Sequence, residues 1–160
     1  MLLKIKNPIL KILNKGFTLI ELLVVISIIA ILATLLIANI NSARARARDA
    51  QRKADLRNIQ TALRLYYNDY AVYPASSNGQ IVGCGPGGDL ATVCAWNEPF
   101  ATNEQTYMSI LPGDPSPDGS YVYARTANDE YTLQTCLENR SDDKCGIACE
   151  NGGCQYLVQQ

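Results

Sequence analysis

The sequence predicts an α+β protein in which a long N-terminal helix, membrane-spanning in its first half, packs against a small antiparallel β-sheet. Three observations predict it. Residues 22–38 are apolar apart from Ser27 and Thr34, as a bilayer-crossing helix requires. Residues 42–70 contain no glycine or proline and are dominated by Ala, Arg, Leu, Gln and Lys, all good helix formers. Residues 120–126 and 130–137 are rich in β-branched and aromatic side chains, the composition of strands. A chain of 160 residues has room for one modest globular domain plus one long helix.

Residues 1–16 carry Lys4, Lys6, Lys11 and Lys15 with no acid and read as a leader. An ordinary secretory signal fits less well. The apolar stretch is too long for a signal core, and the nearest small-residue cleavage pattern is Ala38-Asn39-Ile40-Asn41. The next segment, 17–38, would reach ~33 Å at 1.5 Å per residue, enough to span hydrocarbon. Glu21 stands at its head. An acidic residue at the bilayer centre costs roughly 2.5–3.5 kcal/mol, so a carboxylate there marks a functional site by default. A simple anchor gains nothing from it. Its nearest partner would be the amine created if the chain were cut after Gly16.

Gly16-Phe17-Thr18-Leu19-Ile20-Glu21, followed at once by the apolar run, resembles the type III signal of type IV pilins and type II secretion pseudopilins. The match is tight over residues 15–33 and looser through the following helix to Tyr73-Pro74. The resemblance implies that a membrane aspartyl prepilin peptidase cuts between Gly16 and Phe17 and that Phe17 is then N-methylated. It implies that Glu21 pairs with a terminal amine during assembly. The expected product is a prepilin-type structural subunit of a type IV pilus-like homo-oligomeric filament with the pilin fold. A pseudopilin of a secretion machine or a minor pilin is the first alternative, and a membrane-anchored extracellular binding module using residues 75–105 the second. Membrane lipid and an inner-membrane assembly platform are the other implied partners.

Residues 39–70 should continue the helix. Leu56, Ile59, Leu63, Tyr66 and Tyr70 recur at spacings of 3, 4, 3 and 4, one apolar stripe for packing under a sheet. Many pilins carry a glycine and a proline in the first helix, between which the chain unwinds in the filament. Neither residue occurs here from Phe17 until Pro74, so an unbroken helix to about Tyr70 is expected. Its weakest point is Asn39-Ile40-Asn41-Ser42, whose polar side chains compete for backbone hydrogen bonds. Arg44, Arg46 and Arg48 precede the stripe and should form a solvated collar. It would face anionic headgroups or acids of neighbouring subunits, with nucleic acid a remote third.

The head should occupy 71–160, with a loop region at 71–119 and the sheet and cysteine-rich end at 120–160. Tyr73-Pro74 should end the helix, since the residue before proline avoids the α region. Residues 75–105 read as loop, closed by Cys84 and Cys94. The glycine cluster at 83–88 lacks the Lys-Ser/Thr ending of a phosphate loop. Residues 105–111 read as a short helical turn stopped by Pro112-Gly113. The two strand segments flank Asn128-Asp129 as a hairpin, and residues 154–158 supply a third strand. Leu111-Pro112-Gly113-Asp114-Pro115 further resembles the pseudopilin branch.

The chain has no histidine, which removes His-assisted nucleophiles, a His general base and imidazole ligands. No enzyme activity and no cofactor are expected. From Phe17 onward there are 10 basic and 15 acidic residues. The cations gather in 39–68, with seven against two acids, and the acids in 69–160, with twelve against three. A cationic neck and an anionic head suit self-association, and the head is a poor surface for nucleic acid.

Six cysteines, Cys84, Cys94, Cys136, Cys145, Cys149 and Cys154, all lie beyond the span. Disulfides outside the cytoplasm are expected in preference to a thiolate zinc site. That places the N-terminus in the cytoplasm and the head outside. Four cysteines allow three pairings; Cys136–Cys145 with Cys149–Cys154, which would close two separate turns, is the expected one. Asp114 and Asp118, with Asp142 and Asp143, raise the question of calcium, which the resembled pseudopilins often bind. The Asp114-Pro-Ser-Pro-Asp118-Gly119 spacing is irregular for such a loop, so solvated turn aspartates are expected.

Overall fold

The computed structural model describes residues 16–85, 92–102, 105–140, 146–149 and 153–160. A 52-residue helix, α1 (Leu19–Tyr70), is followed by β1 (Ser76–Ser77), β2 (Gln80–Ile81), β3 (Phe100–Ala101), β4 (Thr106–Met108), β5 (Val122–Arg125), β6 (Tyr131–Leu137) and β7 (Cys154–Gln159). The chain forms two compact units, Met1–Ile40 and Asn41–Gln160. The architecture is the α+β layout expected of the sequence.

In the first unit, α1 is unbroken through residues 30–38. Ser27 and Thr34 donate their hydroxyls to the carbonyls of Val24 and Ile31, each at 2.7 Å, so the two polar interruptions in the apolar run are satisfied by the helix itself. The segment is long and apolar enough to cross a membrane by length and composition.

In the second unit, strand order is β5-β6-β7, antiparallel throughout, with Tyr123 opposite Leu133 and Leu133 opposite Val158. Alternation along β6 sends Tyr131, Leu133, Thr135 and Leu137 inward and Cys136 outward, as the pleat demands. The inward side chains meet the helix stripe: Leu56, Ile59 and Leu63 are fully buried and Tyr66 nearly so. Tyr70, the last residue of the stripe, is 37% exposed. The helix ends there because Ala71 turns left-handed (φ 54°), its N–H still bonded to the Tyr67 carbonyl at 2.8 Å. The helix thus ends at Tyr70, as expected, three residues ahead of the Tyr73-Pro74 step.

Two further hairpins occupy the segment read as loop. Ser76–Ser77 pairs with Gln80–Ile81 around Asn78 and Gly79, both at positive φ, as a tight Asn-Gly hairpin turn requires. Thr106–Met108 forms strand β4 against Phe100–Ala101, where the sequence suggested a helical turn. Pairing wins because it turns Tyr107 inward onto Phe100 and Tyr66, with ring centroids 5.3 Å away from both.

Candidate functional site

Two regions hold the residues singled out by sequence. At the N-terminal end of α1, Phe17 is 84% exposed, and a side chain built at Gly16 would meet nothing within 4 Å. Among the described residues nothing demands glycine at residue 16. Glu21 Oε2 accepts the Thr18 N–H at 2.9 Å and the Thr18 hydroxyl at 2.7 Å, while the Glu21 N–H points back to Thr18 Oγ1 at 3.3 Å. Thr18 and Glu21 form a capping box that satisfies orphan donors of the first turn. Thr18 is thus a partner for Glu21 besides the expected amine, and Thr-x-x-Glu before an apolar run is its sequence signature. Beyond it, the large apolar side chains from Leu19 to Ile37 are 47–81% exposed, a surface that needs a cover of lipid or protein.

The second region lies where α1 meets the sheet. Arg52, 2% exposed, sits among three carboxylates. Its Nε and Nη2 donate to the two oxygens of Asp114, both at 2.9 Å, and Nη1 donates to Asp49 at 2.7 Å and Glu138 at 2.9 Å. Nη2 also reaches Ser116 Oγ at 2.6 Å. Arg48 clamps Glu138 from the adjoining turn, with Nε 2.7 Å from Oε1. Asp49 accepts the main-chain N–H groups of Glu138 and Asn139 at 2.9 and 2.8 Å. The knot ties the helix to the 114–116 turn and to the end of β6. The Arg48 hydrogen bonds hold the Glu138 carboxyl down to about 2, against a smaller upward push from burial. Burial works against the Asp114 charge, yet Arg52 and the Ser116 N–H and hydroxyl bring its carboxyl below the usual range.

The knot corrects two expectations. Arg48 is not part of a solvated collar, because Glu138 is close enough to capture it. Asp114 is neither a solvated turn residue nor an open calcium ligand, because its carboxylate is 2% exposed and filled by Arg52. Asp118 remains exposed in the adjoining loop, and Asp142 and Asp143 fall outside the described residues. Among the described residues no group of three acidic or cysteine side chains is placed to hold a metal.

The cysteines correct a third. Cys84 pairs with Cys94 as the loop reading expects, but Cys136 pairs with Cys149, not with Cys145. Strand alternation explains why Cys149 does not join Cys154. Cys154 lies opposite Leu137, both fully buried, whereas Cys136 lies on the outer face opposite Gln155. The 147–149 segment runs along β7, with Ala148 bridged to Cys154 and the Cys149 N–H on the Gly153 carbonyl, and presents Cys149 to Cys136. Cys154 is itself disulfide-bonded; Cys145 falls outside the described residues.

Comparison with known proteins bears on both regions. Residues 13–37 match the family model of the prokaryotic N-terminal methylation motif. Over 103 residues the chain is 34% identical to the type II secretion system core protein G of Pseudomonas aeruginosa, covering 64% of this chain and 68% of that protein. Over 65 residues it is 37% identical to a type IV major pilin of Myxococcus xanthus, 41% of this chain and 30% of the pilin. A type IV wide pilus major component of Thermus thermophilus is 48% identical over 62 residues, 39% of this chain and 47% of that protein. No solved structure matches.

Proposed function

This chain belongs to the family of type IV pilins and type II secretion pseudopilins, and on that premise we propose that it is cut between Gly16 and Phe17, methylated on Phe17 and polymerised through α1. The observation that carries the proposal is the uncovered apolar surface of the first unit, headed by Glu21. While the subunit is a single-pass membrane protein, lipid covers that surface. In a fibre, the same surface of neighbouring copies takes the place of lipid, so assembly exchanges one apolar cover for another at little hydrophobic cost. The Glu21 carboxylate then supplies direction: an ammonium group nearby in hydrocarbon attracts it far more strongly than in water. A prepilin peptidase and an inner-membrane platform are the partners of these steps. The head, oxidised at its cysteines outside the cytoplasm, plays a structural role and no catalytic one.

Alignment length favours one branch. The match to core protein G extends over about twice the 52 residues of α1 and so takes in head sequence, whereas the pilin matches span 62–65 residues. We therefore favour a secretion-type pseudopilin fibre over a long surface pilus. Electron microscopy of sheared surface material, with mass analysis of the subunit, tests both levels. A methylated Phe17 terminus supports processing. Abundant sheared fibres built from this subunit would instead identify a major pilin.

A further inference from the structure

We propose that a groove on the outer side of α1, flanked by Arg57 and Arg64, seats the acidic β5–β6 turn of a second copy of this chain, gripping Asp129 and Glu130. The inference rests on the filament reading above and adds to it a specific contact between heads.

Four arginines of α1, Arg44, Arg46, Arg57 and Arg64, make no ion pair among the described residues, in contrast to Arg48 and Arg52. Arg57 and Arg64 are two turns apart, which brings them to within ~20° of one another around the helix, roughly 10 Å along it. Thr61, Leu65 and Asn68 share that face, and together with Gln160 of the chain end they line a groove of about 470 Å³. Leu65 is 48% exposed, an apolar side chain on the rim of the groove next to Arg64. Such a site fits a short loop that carries carboxylates for the two cations and a small apolar side chain for Leu65.

The β5–β6 turn has that make-up. Residues 126–130, Thr-Ala-Asn-Asp-Glu, are all exposed, and Asp129 and Glu130 make no ion pair among the described residues. The turn is stiff enough to dock: the Thr126 and Ala127 N–H groups bond to the Glu130 carbonyl at 3.1 and 3.2 Å, and the Asn128 carbonyl accepts the Tyr73 N–H at 2.8 Å. Unpaired cations and unpaired carboxylates therefore sit on different patches of one molecule. A contact between unlike patches links copies head to tail and need not close. Complementary charge also fixes its register and disfavours like-charged juxtapositions.

The test is a charge swap in the full-length chain, read as fibre yield, with processing and disulfide content measured by mass. Arg57→Glu/Arg64→Glu and Asp129→Lys/Glu130→Lys should each lower yield by about tenfold, and their combination should recover to within about threefold of wild type. Should either double variant fail to fold, a bismaleimide cross-link between Thr61→Cys and Asp129→Cys in otherwise wild-type fibres gives the same answer. A loss on the arginine side with none on the acidic side would point to lipid headgroups and overturn the contact. So would a combined variant that is not rescued, or no cross-link. Absence of fibre from the wild-type chain would defeat the filament reading itself, and is told apart by occurring before any substitution.

Discussion

The two ends of α1 place opposite demands on their surroundings. In the first unit no described residue is enclosed: Gly16 meets none of them within 4 Å of an added side chain, and the large apolar side chains from Leu19 to Ile37 are at least 47% exposed. In the second unit the side chains of Arg52 and Asp114 are 2% exposed and fully partnered, and glycines are held by contact. A side chain at Gly119 would collide with the Asp114 carboxylate, and one at Gly153 with the Leu137 carbonyl. The same residue type thus meets open space among the described residues at one end and tight internal packing at the other. Substitutions at the two ends should separate assembly from folding.

The largest separation is expected at the glycines. Gly16→Val should abolish leader removal and leave the head's disulfides and melting unchanged, since no described residue opposes the new side chain. Mass spectrometry of wild-type protein should find methylated Phe17 at the terminus; one near Asn41 would point to ordinary signal peptidase. Gly119→Val should do the reverse, loosening the Arg52 knot while cleavage proceeds.

Glu21 sharpens the comparison, because two roles now compete for it. A Gln at the same position preserves a capping box but carries no charge. Glu21→Ala should keep insertion and cleavage and lose entry into fibres. If charge is the reason, Glu21→Gln should fail as completely as Glu21→Ala; near-normal assembly of the Gln variant would assign Glu21 to capping alone. Thr18→Ala removes the other half of the box and should cost about 0.5–2 kcal/mol of local helix stability.

In the head, Arg52→Leu should lower unfolding free energy by about 3–5 kcal/mol, the cost of leaving buried carboxylates without their cation. Denaturant unfolding of the processed protein measures it, and leader cleavage should be unaffected. Loss of the Cys136–Cys149 bridge by paired Ala substitution should cost about 2–4 kcal/mol. Peptide mapping should recover that pair together with Cys84–Cys94 and, from the remaining two cysteines, Cys145–Cys154.

How much of this was legible depended on whether the signal was local. The apolar run, the Leu56-Ile59-Leu63-Tyr66 stripe and the β5–β6 hairpin all follow from periodicity and composition. The Asn78-Gly79 hairpin and the Thr18–Glu21 box are also written locally, as Asn-Gly and Thr-x-x-Glu, within segments whose stronger signals are a loop and an intramembrane acid. The knot was not legible. Arg52 and Asp114 are 62 residues apart, and nothing near Arg52 distinguishes it from Arg57, which stays exposed. Cys136–Cys149 likewise depends on which face of β6 each thiol occupies, a property of register and not of spacing.

The smallest expected effect is a pH dependence confined to the second unit. Glu138 and Asp114 both titrate below their unfolded values. The stability they contribute is fully present above the unfolded carboxylate range, ~4, and is lost as pH falls through their folded values, about 2 for Glu138. Asp55 acts in the opposite sense. Burial raises its carboxyl against the Tyr121 hydrogen bond at 2.8 Å, so its contribution is present at low pH and lost as pH rises. Asp55 therefore blunts the acid loss without cancelling two depressed partners. Melting temperature should fall modestly between pH 4 and pH 2 in the wild type. Glu138→Gln should flatten part of that slope, because it removes one titrating partner while keeping a polar contact for Arg48. An unchanged slope in the Gln variant would show that the acid sensitivity arises elsewhere, and the Arg52 knot would lose its assigned electrostatic role.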